Sequence, residues 1–315
     1  MGKKTQTRNI ETILTLVFAM VVLFVLGIEM IRQTQATVLR GLEERANQAV
    51  LATVKGIRSV IIHRSIYIEN LSLGLSLPIY NHDLVMRDLY KANQDPFVSN
   101  IYVGFEDDGH FIATYRDHKG LIKEWHPSND YDPRERKWYL LAKDSPKVIY
   151  SPAYVDVISG DYIVTIAKAL RNSDDSLIGV VGLDITLNQL TNYVKSISIG
   201  RYGSIFIIDS EGTILTHPDF GQPVQNVKDL QGSAGKIGEV MLKGEKGWSL
   251  LKNGKDSSYV YYQPVDVIGW SVGVLIPQDE VTGSSITVIT KISVTGMLIL
   301  MLTILLLLYI SVKSN

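Results

Sequence analysis

Uncharged apolar runs stand at both ends of the chain, and shorter alternating patterns fill the middle. Thr12–Ile28 contains no charged residue, and Ile292–Val312 is uncharged between Lys291 and Lys313. At about 1.5 Å per helical residue, each run is close to the length that crosses a hydrocarbon core ~30 Å thick. The pattern therefore predicts transmembrane helices at 12–31 and 291–312.

The flanks of the first run predict how the chain is oriented. No small-x-small cleavage site follows the run, which favours an uncleaved helix over a signal peptide. Lys3, Lys4 and Arg8 precede it, and basic flanks mark the cytoplasmic side. We expect cytoplasmic ends at 1–11 and 313–315 and an extracytoplasmic region at 32–290, in a cell (inner) membrane protein.

Residues 33–77 have the pattern of one long helix. No proline interrupts them, and apolar residues recur at steps of three and four. This stripe comprises Val38, Leu42, Ala46, Ala49, Val50, Val54, Ile57 and Ile61. It fits packing on the helix's own domain, and it leaves open a homodimer seam along part of the helix.

Strand patterns follow, and they occur twice. Asn100–Thr114 and Ser204–His217 each contain an apolar run, an acidic turn ending in glycine and a second apolar run, which predicts a β-hairpin. Asp161–Ile185 and Ser257–Pro277 repeat a second pattern, a strand, a linker with Ile-Gly and another strand. The repeat predicts an α+β fold with two tandem antiparallel-sheet modules, at about 78–190 and 200–280, joined by a helix near Thr186–Ser198.

Composition excludes several classes of function. The 315 residues carry a formal net charge of -1, which gives no basic field for nucleic acid. There is no cysteine, so disulfides and thiolate metal sites are ruled out. His110, His118 and His126 lack metal-ligand spacing, and no phosphate loop or nucleophile–base pair is evident. We expect no metal, no cofactor and no enzymatic activity.

Candidate chemistry is concentrated in the first module. The stretch from Tyr131 to Asp184 combines a planar guanidinium suited to a carboxylate, aromatic hydrogen-bond donors, and carboxylates that could hold an ammonium group. Its members are Tyr131, Arg136, Trp138, Tyr139, Tyr154, Asp156 and Asp184. A carboxylate clamp with an ammonium clamp suits a free amino acid. Tyr102, Phe111, Tyr115 and Trp125 are candidates for the pocket wall.

Each of these residues also has a structural interpretation. Trp138 and Tyr139 could be core aromatics, and Arg136 could be a surface arginine in the charged run RERK. Asp184 could cap the helix that starts near Leu187, and Asp156 could belong to a turn. Their combination in order along the chain favours the ligand site.

The same stretch resembles the extracytoplasmic double Cache (dCache) sensor domains of bacterial receptors, specifically the amino-acid-binding subset. That resemblance rests on a tyrosine, Arg-x-Trp-Tyr, a further tyrosine and a distant aspartate, here Tyr131, Arg136, Trp138, Tyr139, Tyr154 and Asp184. It implies two PAS-like modules, the first far from the membrane. It also implies that Arg136 and Trp138 hold the ligand carboxylate, supported by Tyr131 and Tyr139. Tyr154, Asp156 and Asp184 would hold the amino group.

We therefore expect a chemoreceptor or sensor-kinase input domain with one amino-acid site, in the first module. The second module has no Arg-x-Trp-Tyr, so it is expected to transmit the signal. Related receptors continue into a HAMP linker and an output module, whereas this sequence ends at Asn315. The signal would pass to such a module or to a membrane partner. The alternatives are a stand-alone binding protein that serves a partner receptor or transporter, and an enzyme ectodomain.

Overall fold

The computed structural model describes residues 2–76, 81–128, 130–197, 203–217, 225–254 and 256–279, and, towards the C-terminus, residues 291, 293–296, 298–299, 301–306 and 309. The chain divides into two compact units. One unit comprises Met1–Ala46 and Pro277–Asn315, and the other is Asn47–Ile276.

One described helix is long and apolar enough, by length and composition, to cross a membrane, and a shorter apolar helix covers Ser293–Leu306. The predicted second span at 291–312 includes residues outside the described part, as do 280–290 and the predicted cytoplasmic end 313–315. Two membrane passes and the cytoplasmic position of both ends stay predictions.

The first helix, α1, spans Gly2–Leu75 without a break. The predicted end at Leu77 lies outside the described residues. From Ala46 onwards the apolar stripe is buried, at Val50, Val54, Ile57 and Ile61. The opposite face exposes Leu51, Ile66 and Leu73. The homodimer seam stays a prediction.

The described residues of the second unit form two antiparallel sheets and four further helices. The strands and helices are, in chain order, α2 (His82–Ala92), β1 (Asn100–Phe105), β2 (Phe111–Arg116), β3 (Ile122–Trp125), α3 (Lys137–Lys143), β4 (Ile149–Tyr150), β5 (Tyr154–Val155), β6 (Tyr162–Arg171), β7 (Leu177–Thr186), α4 (Leu187–Lys195), β8 (Ser204–Ile208), β9 (Ile214–Thr216), α5 (Gly232–Leu242), β10 (Gly247–Asn253), β11 (Asp256–Val265) and β12 (Trp270–Pro277). Short 3-10 turns occupy Pro133–Glu135 and Val227–Asp229.

The internal repeat of the sequence is present in the topology. The first sheet has the order β3-β2-β1-β7-β6-β4, with β5 also paired to β6, and the second has the order β10-β11-β12-β8-β9. In the first sheet, β1 pairs with β7, the last strand of the first module. In the second sheet, β8 pairs in the same way with β12, the last strand of the second module. Gly109 and Gly212 have φ values of 72° and 92°, which accounts for the glycine in each hairpin turn. The predicted hairpins and the predicted α+β class agree with this architecture.

The helix between the two modules begins where the sequence predicts. The Thr186 side chain accepts from the backbone N–H of Gln189, and Gln189 accepts in return from the backbone N–H of Thr186, a reciprocal capping box. Thr186 therefore caps α4, and Asp184 is not its cap. The carboxylate of Asp184 is instead buried against the first sheet.

Candidate functional site

Strand register places three polar side chains in one row across the first sheet. Asn100 on β1 pairs with Asp184 on β7, and Asp184 pairs with Thr165 on β6. Residues directly opposite each other in a sheet point to the same face. All three are almost completely buried, with 1%, 1% and 0% of their surfaces exposed. A buried polar row is costly unless its members bond to one another, and these do.

Asp184 is the centre of this network. Its Oδ1 accepts hydrogen bonds from the Tyr102 hydroxyl and the Thr165 hydroxyl, both at 2.7 Å. Its Oδ2 accepts from the Asn100 amide at 3.0 Å. Tyr154 extends the network, because its hydroxyl lies 2.7 Å from that of Thr165.

A second buried carboxylate shares the same amide group. Asp156 follows β5, and its Oδ2 accepts from Asn100 at 2.9 Å and from the backbone N–H and hydroxyl of Ser159, both at 2.8 Å. Within the described part of the chain, no lysine or arginine nitrogen lies within 4 Å of either carboxylate. Two buried acids therefore share one neutral donor.

Burial and the neighbouring charge shift the ionisation of Asp184. Loss of hydration raises the pKa of Asp184 to about 7, and the charge of Asp156 adds to the rise. Hydrogen bonds from Thr165, Tyr102 and Asn100 act in the opposite direction. A bound ammonium group would stabilise both carboxylates in their charged forms.

An aromatic cluster covers the sheet beside this network. The ring of Trp138, on α3, lies 4.8 Å from the Tyr102 ring, and the Phe111 ring lies 5.0 Å from that of Tyr131. Trp125 meets Phe111 edge-on at 5.7 Å and Tyr131 edge-on at 5.2 Å. Three of the four predicted wall residues thus belong to the cluster, whereas Tyr115 does not.

Arg136 lies beside the Tyr131 ring of this cluster. It separates the Pro133–Glu135 turn from α3, and its guanidinium carbon is 5.9 Å from the centre of the Tyr131 ring. Among the described residues, no carboxylate lies within 4 Å of this guanidinium. Arg136 is thus free to accept an anionic partner.

Charges of both signs act on the Tyr131 hydroxyl. Burial, Asp184 and Asp156 raise the pKa of its hydroxyl, with burial the largest effect, while the positive charge of Arg136 and the hydrogen bond with Trp138 lower it. The cation and both anions therefore act on one phenol group. The arrangement suits a zwitterion bound along the aromatic wall.

Tyr139 differs from the other predicted site residues. It is fully buried on α3, and its hydroxyl donates to Glu106 Oε2 at 2.6 Å. Burial and this bond raise the pKa of Tyr139. Its hydroxyl is thus committed within the protein, and a supporting role in ligand binding stays a prediction.

Sequence reasoning missed Asn100, Thr165 and Ser159, and it assigned Tyr102 to the wall without its hydrogen bond to Asp184. The missing information is strand register, which a pattern of hydrophobicity does not specify across distant strands. The hairpin repeat held a partial signal, because Asn100 and Ser204 open equivalent strands.

The second module has apolar groups where the first has its polar network. Phe206 pairs with Gly273 as Tyr102 pairs with Gly182, and Leu275 pairs with Ser204 as Asp184 pairs with Asn100. Phenylalanine and leucine thus replace the tyrosine hydroxyl and the carboxylate. The second module lacks an ammonium clamp at these positions.

No cluster of three or more acidic or histidine side chains fit for a metal ion occurs in the portion of the chain that the structure covers.

Comparison with known proteins identifies the class to which this arrangement belongs. The chain matches the dCache_1 family, a Cache domain, over residues 6–285, and it belongs to that family. The structure is similar to the ligand-binding domain of the Pseudomonas fluorescens chemoreceptor CtaA, solved with L-serine. The TM-score is 0.59 at 23% identity, covering 76% of this chain and 99% of that one.

Among curated proteins, the chain is 30% identical over 155 residues to the methyl-accepting chemotaxis protein PscA of Pseudomonas syringae pv. tomato, covering 48% of this chain. It is also 30% identical over 190 residues to McpC of Bacillus subtilis, covering 60% of this chain. The matches span 23% and 26% of those proteins, so the chain corresponds to about a quarter of their length.

Proposed function

We propose that this chain is the extracytoplasmic sensor of a membrane-anchored receptor and that it binds one free amino acid in its first module. The observation that carries the proposal is the pair of buried carboxylates, Asp156 and Asp184, with Arg136 across an aromatic wall. The ammonium group would enter between the acids, and the carboxylate would meet Arg136 and the Trp138 indole. The bound amino acid in CtaA supports the same ligand class here.

The proposal describes a binding protein rather than an enzyme. The polar groups of the site bond to one another in a closed network of Asp184, Asn100, Thr165 and Tyr102. Such a network orients a ligand, and it offers no activated nucleophile. The chemotaxis proteins among its relatives support a signalling role, with output through a further module or a membrane partner.

Signal transmission requires contact between the site and α1, and the connection between α2 and β1, residues 93–99, provides it. The backbone N–H of Ser99 donates to the carbonyl of Asp184 at 2.9 Å. Arg64 on α1 forms an ion pair with Asp95 at 2.6 Å and lies 4.7 Å from the Phe97 ring centre. Gln189 on α4 donates to the Pro96 carbonyl at 2.8 Å. A shift at Asp184 would therefore reach both helices.

The test first identifies the ligand and then removes Arg136, the proposed partner of the ligand carboxylate. A thermal-shift screen of the full chain in nanodiscs against the twenty common amino acids identifies the ligand, since a ligand stabilises the state that it binds. Arg136→Ala should then weaken binding by ~30-fold in calorimetry, because a charge-assisted bond contributes about 1.5–3 kcal/mol. Lys137→Ala, which removes the adjacent exposed charge, should leave affinity unchanged. Equal affinity of Arg136→Ala and the parent chain would contradict the assignment.

A further inference from the structure

The first sheet has a second concave surface, on the face opposite the aromatic cluster. Side chains alternate along a strand, so Tyr102 and Phe111 face the cluster while Val103 and Ile112 face the other way. On that face a cavity of about 560 Å³ opens between the start of α2 and the β1–β2 and β6–β7 hairpins. This volume is typical of sites for small organic molecules, which occupy roughly 300–1,000 Å³.

The floor of this groove is aliphatic. Val85 on α2, Val103 and Ile112 on the hairpin and Leu170 on β6 line it, and all four are buried. Such a floor supplies dispersion contacts and removes apolar ligand surface from water. It fits the apolar body of a small molecule.

The rim of the groove is polar and acidic. Asp107 and Asp108 are exposed at the β1–β2 turn. Asp108 Oδ1 accepts from the backbone N–H of His110 at 2.8 Å, which leaves its second oxygen available. No lysine or arginine belongs to the described lining of the groove. The guanidinium of the adjacent Arg134 pairs with Asp132 at 2.7 Å and also donates to the backbone carbonyls of Glu106 and Asp107, at 3.1 and 3.5 Å. Among the described residues it forms no ion pair with the carboxylate of Asp107 or Asp108.

Three rings form a row beside these carboxylates. His110 stacks on Phe105 with ring centres 6.0 Å apart, and its other neighbour is His82, at 6.3 Å. Of these rings, the face of Phe105 attracts an organic cation through its quadrupole, and the neighbouring carboxylates attract it through their charge. The same surroundings disfavour an anionic head group.

We propose that this groove is a second binding site, which takes a small organic amine with an apolar body. The ammonium head lies against Asp107, Asp108 and the ring row, and the body lies on the aliphatic floor. The proposal is independent of the amino-acid site, because the two lie on opposite faces of β1 and β2. An occupant here would contact the strands that carry Asn100 and Tyr102, and so could modulate the first site.

The experiment uses three probes of similar size and different charge. Binding of 4-fluorophenethylamine, 2-(4-fluorophenyl)ethanol and 4-fluorophenylacetate to the full chain in nanodiscs is measured by fluorine NMR at pH 7.5. We expect the amine to bind at least ~10-fold more tightly than the alcohol, which corresponds to about 1.4 kcal/mol, because its ammonium faces two carboxylates, and we expect the acetate to bind most weakly. The double variant Asp107→Asn/Asp108→Asn should reduce the preference for the amine to less than ~3-fold.

Two further variants serve as controls for the preference for the amine. Asp229→Asn/Asp266→Asn removes the same charge from exposed positions in the second module and should leave the preference unchanged. In Asp184→Asn, which lacks a carboxylate of the amino-acid site, the groove should still bind the amine more tightly than the alcohol, because Asp184 faces the other side of the sheet. The proposal is overturned if the amine shows no preference over the alcohol. It is equally overturned if Asp184→Asn abolishes amine binding while Asp107→Asn/Asp108→Asn keeps it, which would place the amine in the amino-acid site. Neither outcome affects the test with Arg136→Ala.

Discussion

Asp184 is held by three donors and yet remains difficult to ionise. Hydroxyls of Tyr102 and Thr165 and the amide of Asn100 all favour the carboxylate, but burial and Asp156 outweigh them. A cation placed between the two acids would offset the remaining free-energy cost of ionising Asp184. The site is therefore complementary to an ammonium group, and a proton is the alternative occupant.

This competition predicts a pH dependence of binding. Because the pKa of Asp184 is raised to about 7 without ligand, binding of the ammonium must displace a proton at lower pH. Amino-acid affinity should be constant above about pH 8 and should fall by up to ~10-fold for each pH unit below about 7. Calorimetry at several pH values, in buffers of different ionisation enthalpy, measures both the affinity and the proton release.

The matched variant for this prediction is Asp184→Asn, in which affinity should be weak and independent of pH between about 5 and 8, within the precision of calorimetry. The stability of the ligand-free chain provides a second check. A carboxyl whose pKa is raised in the folded state stabilises that state at low pH, and the stabilisation is lost as pH rises from about 4 through about 7. An affinity that stays constant from about pH 8 to about pH 5 would contradict the role given to Asp184.

At the scale of strands, the central pair of each sheet is built around a glycine that faces an aromatic ring. The Tyr102 ring covers Gly182 on β7, and the Phe206 ring covers Gly273 on β12. A Cβ atom at either glycine would overlap the ring, so each ring depends on the missing side chain. The two modules share this packing and differ in whether the ring carries a hydroxyl group.

Two matched glycine substitutions distinguish a loss of packing from a loss of ligand binding. Gly182→Ala should displace Tyr102 from Asp184, lower the free energy of unfolding by about 1–3 kcal/mol and weaken amino-acid binding by at least ~10-fold. Gly273→Ala should have a comparable effect on stability, since it displaces Phe206, and should leave affinity within about 2-fold. Chemical denaturation and calorimetry on both variants provide the comparison. Equal losses of affinity in the two variants would show that the binding defect reflects general destabilisation.

The elements that the sequence predicts well are those with local causes. The hairpin turns follow from Gly109 and Gly212, and α4 begins near the predicted position, although its cap is Thr186 rather than the suggested Asp184. The Asn100–Asp184–Thr165 row was not predictable, because it depends on which residues of three distant strands face each other. Local pattern fixes the faces of a strand, whereas register is fixed by tertiary packing.

For the molecule as a whole, residues 93–99 connect the proposed ligand site with two helices. The backbone of Ser99 bonds to Asp184, and Asp95 pairs with Arg64 on α1. The ring of Tyr193 on α4 meets Phe97 edge-on at 6.2 Å and also lies against Gly56 of α1. One short segment thus contacts β7, α1 and α4. Coupling through it requires that ligand binding favours one of its arrangements.

Hydrogen exchange can test whether this segment carries the signal. In the parent chain, the amino-acid ligand should slow amide exchange both at residues 93–99 and on α1 around Ile57–Ile68. Arg64→Met keeps the apolar stem and removes the ion pair with Asp95. It should bind the ligand within about 3-fold of the parent and keep the protection at 93–99, but lose the ligand-dependent protection on α1. Arg58→Met, at an exposed position on the same helix, should behave like the parent. If α1 in Arg64→Met still responds to ligand as in the parent, the coupling does not pass through Arg64, and the contacts of α4 with Pro96 and Phe97 become the alternative route.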